Sequence, residues 1–157
     1  MSRLSDAYRV AIINEIKSQN LYAMLAIASE DKESKMIFEN LEKFEKIHEE
    51  KISKIFFEKF PGEELKLDYS ALPKLKSQIE SKNQKQIYEF AIKKEVDANE
   101  AYLKLSELSE EQELKDFFAE LAAEENKHVE ILENEILRLQ GSLVWFNETD
   151  LEKLLDY

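Results

Sequence analysis

Along this chain apolar residues return every three or four positions over long unbroken stretches, the spacing that lines one side of an α-helix, and almost nowhere do they alternate as a half-buried strand requires. The pattern predicts four helices, over about 5–29, 31–59, 83–108 and 110–139. The first carries the stripe Leu4, Tyr8, Ile12, Glu15, Tyr22 and Ala26; the second carries Phe38, Leu41, Glu45, His48, Ile52 and Ile55. The third offers Tyr88, Ile92, Glu95, Tyr102 and Leu105, and the fourth Phe118, Leu121, Glu125, His128, Leu132 and Leu139. Each stripe is apolar except at its middle, where carboxylates and imidazoles replace the aliphatic side chains.

Punctuation between the stripes sets the topology. Pro61-Gly62 ends the second helix, Ser109-Glu-Glu-Gln112 reads as a capping box for the fourth, and Gly141 stops it. The first joint and the last are only a few residues, so each pair of helices is an antiparallel hairpin. The central joint, 60–82, is far longer, and a helix of about 27 residues is roughly 40 Å long, a span that such a crossover covers with slack. The expectation is an all-α four-helix bundle over 1–140, made of two antiparallel helical hairpins and a long crossover. In the tail, 141–157, Thr149 or Asp150 is expected to cap a short C-terminal helix, with Trp145-Phe146 covering the bundle end or a dimer contact.

The two hairpins are copies of each other. Laid over one another with an offset of 80 residues and no gap, "KMIFENLEKFEKIHEEKI" meets "KDFFAELAAEENKHVEIL" and "NEIKSQNLYAML" meets "KEVDANEAYLKL". Glu15 falls on Glu95, Tyr22 on Tyr102, Phe38 on Phe118, Glu45 on Glu125 and His48 on His128. With 27 Glu in 157 residues, a given histidine has a chance of roughly one in six of finding Glu three positions before it, so one Glu-x-x-His carries little. Both histidines of the chain obey the rule, in register, and each unit has a further Glu on its first helix with Tyr seven residues on.

Residues three apart on a helix project to the same side, so the repeat directs four carboxylates and two imidazoles at one level of the bundle. Four buried negative charges without a partner are prohibitive. Two divalent ions would balance the four carboxylates, with neutral imidazoles completing their shells. A set rich in oxygen, poor in nitrogen and free of sulfur suits iron or manganese, and zinc binds such a set too.

At this point the sequence resembles the ferritin-like di-iron carboxylate proteins, whose motif is one Glu from each of two helices and Glu-x-x-His from each of the other two. The resemblance spans about 5–139 and is greatest to the rubrerythrin family, in the phrases "FENLEKFEKIHEE" and "FFAELAAEENKHVEILE" and in Glu followed by Tyr at +7. It implies two iron ions held by Glu15, Glu45, His48, Glu95, Glu125 and His128, with Tyr22 and Tyr102 hydrogen-bonded to the ligating carboxylates. It also implies reduction of peroxide or O₂. Two departures stand out: the extra helix carboxylate typical of the family is replaced by Ala98, and the chain lacks the cysteines of a rubredoxin-like domain, so an external electron-donor protein is expected. Iron storage of bacterioferritin type, or a purely structural metal, are the alternatives. Tyr8 and Tyr88 carry only a packing role.

The formal charge of −12 opposes binding to nucleic acid or anionic membranes. No apolar run is long enough for a membrane span and the first residues lack a signal-peptide pattern, so a cytoplasmic protein, a homodimer by expectation, is anticipated.

Overall fold

In a computed structural model the described residues are 3–67, 69, 77, 79 and 82–141. They form four helices: α1 (Arg3–Ala28), α2 (Lys32–Lys59), α3 (Gln84–Leu108) and α4 (Gln112–Gln140). All four follow the predicted spans closely at both ends. The tail, with the expected C-terminal helix and Trp145-Phe146, lies outside the described residues, as does the middle of the crossover. Among the described residues no helix is long and apolar enough to cross a membrane.

Local chemistry fixes the helix ends. The Asp31 carboxylate accepts from the Ser34 backbone N–H at 3.0 Å and starts α2. Asn83 and Gln86 form a reciprocal capping box at the start of α3. After α2 the chain turns through Pro61-Gly62, where Gly62 takes the left-handed φ of 88°. Arg9 holds the start of the crossover to α1 through Glu63 and the Glu64 carbonyl, with its guanidinium over the Phe56 ring.

The capping box expected at Ser109-Gln112 is not formed. Ser109 closes α3 instead, its hydroxyl donating back to the Leu105 carbonyl at 2.7 Å, as its repeat counterpart Ser29 donates to Leu25 at 2.6 Å. The residue before α4 is Glu111, which makes no side-chain cap and reaches Lys59 at 3.6 Å. The repeat explains the difference: position 31 holds a short Asp that can turn onto its own helix, whereas position 111 holds the longer Glu.

Helices α1 and α2 pack extensively on each other, as do α3 and α4, and the two hairpins meet along a narrower seam in which α1 faces α3. Two apolar clusters fill the bundle. One gathers Leu21, Leu25, Phe38, Leu41, Tyr88 and Leu132; the other gathers Tyr8, Ile12, Ile52, Phe56, Leu105 and Phe118. In α2 the stripe continues from Ile52 to Phe56, which is fully buried, while the expected Ile55 is half-buried; in α3 Ala91 is buried and Ile92 half-buried. These single-residue shifts are what a 3.6-residue period does to a stripe written in threes and fours.

At the end of the bundle where α2 begins, buried Glu135 accepts from the Ser34 hydroxyl at 2.5 Å and from the Arg138 Nε at 2.6 Å, and Arg138 also pairs with Asp31. This network ties α2 to α4. The repeat places Ile55 opposite Glu135 and Glu58 opposite Arg138, so the same residue types are not duplicated at the other end.

Candidate metal centre

Between the two apolar clusters lies one polar layer. Glu15 from α1, Glu45 and His48 from α2, Glu95 from α3, and Glu125 and His128 from α4 are all at most 4 % exposed. All six predicted metal residues are therefore brought together, each from the middle of its helix. Their atoms form two groups, Glu15, Glu45, His48 and Glu125 in one and Glu45, Glu95, Glu125 and His128 in the other, with ligand atoms within 4.8 Å of one another in each. Glu45 and Glu125 belong to both.

The histidines reach across the seam. His48 Nδ1 lies 2.9 Å from Glu125 Oε1 and 3.7 Å from Glu15 Oε1. His128 Nδ1 lies 2.9 Å from Glu45 Oε1 and 3.4 Å from both Glu95 and Glu125. The two imidazole rings are nearly parallel, with centroids 6.0 Å apart. In both, Nδ1 faces the carboxylates.

The tyrosines cross in the same way. Tyr22 of α1 donates to Glu95 of α3, and Tyr102 of α3 donates to Glu15 of α1. Burial, reinforced by the surrounding carboxylates, holds both phenols well above their usual range, so each remains a donor. Tyr8 and Tyr88 serve as core packing, Tyr8 edge-on to Phe60 and Phe118 and Tyr88 against Phe38.

The electrostatics are those of a cation site filled with protons. Burial pushes the Glu125 carboxyl up to about 8, helped by its hydrogen bond with Glu95, and burial together with the Glu15 charge raises Glu45. Glu95 goes the other way: burial opposes its ionisation, but hydrogen bonds with Glu125, His128 and Tyr22 outweigh it and keep the carboxylate charged. Burial alone would lower the imidazoles, yet hydrogen bonds with the carboxylates raise His48 to about 10 and His128 to about 9. Among the described residues no Lys or Arg pairs with the four carboxylates, and Glu15 Oε2, Glu45 Oε1, Glu95 Oε2, Glu125 Oε2 and His128 Nδ1 are buried and meet one another only at close but poorly directed contacts, with no other donor or acceptor to satisfy them. Five such atoms converging on one layer, four of them carboxylate oxygens and one an imidazole nitrogen, fit a pair of divalent cations.

Two neighbours escaped the sequence reading. Glu124 lies 2.7 Å from His48 Nε2, the ring nitrogen that faces away from the other carboxylates. Phe44 packs against the His128 ring at a centroid separation of 5.6 Å. Each directly precedes a Glu-x-x-His motif, and comparing the repeats position by position pairs Phe44 with Glu124, a mismatch at an otherwise matched site. A cavity of about 80 Å³ between α1 and α3 reaches Glu15 and Tyr102 and is lined by Asn14, Ser18, Lys94 and Ala98.

A four-helix bundle with two buried carboxylate and histidine clusters that share two glutamates defines the class of ferritin-like proteins with a dinuclear metal site. The rubrerythrin family profile matches residues 6–136, and the chain belongs to that family. Among solved structures it is similar to a hypothetical protein from Pyrococcus furiosus, with a TM-score of 0.69 and 26 % identity, over 84 % of this chain and 87 % of that one. No curated protein matches.

Proposed function

We propose that the protein is an oxidoreductase that reduces peroxide or O₂ at a di-iron centre, with Glu15, Glu45, His48, Glu95, Glu125 and His128 as the metal ligands. The observation that carries this reading is the pair of buried clusters sharing Glu45 and Glu125, since shared carboxylates hold two ions close enough to act on one substrate. When bound, two Fe(II) ions would supply the two electrons that, with two protons from solvent, reduce hydrogen peroxide to two waters, each iron becoming Fe(III).

The chain's own residues set the conditions for that exchange. Glu45 and Glu125, which belong to both clusters, would serve both positions, while Glu15 and Glu95 would each serve one. Tyr22 and Tyr102 keep those end carboxylates turned inward by hydrogen bonding across the seam. The cavity beside Glu15 is the approach for substrate: at about 80 Å³ it has room for a molecule of two oxygen atoms. Lys94, whose ammonium is destabilised first by burial and then by Lys17, lines the same opening and favours a polar or anionic entrant. Ala98 stands where the family's extra carboxylate would be, so the centre works with six ligands. Electrons arrive from a separate donor protein.

The test is anaerobic loading with Fe(II), followed by rapid mixing with hydrogen peroxide or O₂. Two irons per chain, oxidised in a burst and reducible again for further turnover, are expected. Bound iron that neither oxidant changes would overturn the redox reading.

A further inference from the structure

The two halves of the centre differ in what holds the back of each imidazole. His48 presents Nδ1 to Glu125 and Glu15 and Nε2 to Glu124, whose carboxylate is 2.7 Å away. His128 presents Nδ1 to Glu45, Glu95 and Glu125, and among the described residues every carboxylate it meets lies on that nitrogen. The Phe44 ring packs against it. Phe44 and Glu124 occupy the same place in the two repeats, so an otherwise two-fold arrangement carries a carboxylate on one side and a hydrocarbon on the other.

A carboxylate that accepts the outer N–H of an imidazole does three things at once: it puts the proton on that nitrogen, leaves the other lone pair free, and fixes the ring plane. Glu124 does this for His48 from the rim of the site, its side chain 35 % exposed while His48 is 2 % exposed. Phe44 contributes packing but no acceptor, so among the described residues no carboxylate faces His128 Nε2.

We infer that Glu124 is a positioning residue that makes the two metal positions unequal: the position built on Glu15 and His48 binds its ion first and more tightly, and the position built on Glu95 and His128 fills second. The inference rests on the dinuclear reading and adds an order of filling to it. The unequal pair gives the centre one anchored ion and one more readily displaced. The exchangeable ion belongs on the His128 side, away from the Glu124 carboxylate.

The order of filling is measurable without turnover. Anaerobic Co(II) titration of metal-free protein against a chromophoric chelator should resolve two steps at least about 10-fold apart. Glu124→Ala should weaken the tight step by about 10- to 100-fold and bring the steps together, and Glu124→Gln, which still accepts from Nε2–H, should recover much of the difference. Phe44→Glu should strengthen the weak step. In Zn(II)-loaded protein with ¹⁵N-labelled histidine, the His48 Nε2–H resonance should sit downfield in wild type and Glu124→Gln and collapse in Glu124→Ala, a response that general loss of packing does not produce. Two steps that stay equal in wild type, or that ignore both Glu124 variants, would overturn the inference while leaving two bound ions. Binding of fewer than two ions by wild type would instead overturn the dinuclear reading itself.

Discussion

Tyr22 on α1 donates its hydroxyl to Glu95 on α3, joining the first helix of one repeat to the first helix of the other at a buried carboxylate. The related bond from Tyr102 to Glu15 runs in the opposite sense. Removing either hydroxyl leaves a buried carboxylate oxygen without its donor, so Tyr22→Phe and Tyr102→Phe should each destabilise the metal-free protein by about 1–3 kcal/mol in urea unfolding. A double-mutant cycle of Tyr22→Phe with Glu95→Gln should show strong coupling. Simple additivity would mean that the bond contributes nothing in solution.

Metal stoichiometry should follow the histidines. Because each cluster contains one imidazole, His48→Ala and His128→Ala should each lower bound metal toward one ion per chain, and the double variant should lose most of the remainder. Elemental analysis checks this. Two ions retained by the double variant would exclude the six-ligand set.

The location of the site was legible because its residues sit on strongly periodic helices and are repeated in register. Glu15, Glu45, His48, Glu95, Glu125 and His128 interrupt apolar stripes, and a charged residue in such a stripe has to be matched by something. What the pattern could not give was the partner of each tyrosine. A +7 spacing places Tyr22 two turns from Glu15 on one helix, whereas the bond it makes crosses to Glu95, and only packing of α1 on α3 sets that pairing. Glu124 stayed hidden for a related reason: in a chain with 27 Glu, one more beside Glu125 reads as solvated surface until its distance to His48 is known. Ser109 misled because a Ser near a helix boundary can close the preceding helix as well as cap the next.

Repulsion within the layer falls mainly on the carboxylates shared by both clusters. Burial and the Glu15 charge disfavour ionised Glu45, so Glu45→Gln should stabilise the metal-free protein, by on the order of 1 kcal/mol at neutral pH, while weakening metal binding. Chemical denaturation with and without added Zn(II) separates the two effects. Destabilisation of the metal-free form would show that Glu45 is held there by favourable contacts.

Acidity should act on folding and on metal uptake in opposite directions. His48 and His128 titrate near 10 and 9 in the folded chain against 6.5 ordinarily, and Glu125 near 8 against 4.5. All three are raised, so between about pH 5 and 10 the folded metal-free chain holds more protons than the unfolded one, and its stability falls as pH rises. The imidazole contribution is complete below their ordinary value and is lost on passing through about 9–10. Ions displace the same protons, so metal affinity should grow over that window. Thermal unfolding in chelator and calorimetric metal titration in two buffers check both slopes; an unfolding temperature that does not change between about pH 5 and 9 would contradict the charge arrangement.

Ala98 offers a test of redox tuning. It lines the cavity at Glu15, one helical turn beyond Glu95, so Ala98→Glu would introduce a carboxyl at the mouth of the centre. Peroxide oxidation of the di-iron(II) form should change in rate by several-fold with two irons still bound, measured by stopped flow. Identical traces for the variant and wild type would show that the opening is not on the route to the metals.

The polar layer also has a mechanical consequence. It is a charged stratum set between two apolar clusters, and all four helices contribute to it at mid-length. Sliding one hairpin along the other by a helical turn, about 5.4 Å, would set Glu15, Glu45 and His48 against leucines and aromatic rings and leave Glu95, Glu125 and His128 equally stranded. An apolar core would tolerate that slip far better, because one aliphatic layer resembles the next. The six residues therefore act as an index mark along the bundle axis, fixing the longitudinal alignment of the two hairpins before any ion arrives.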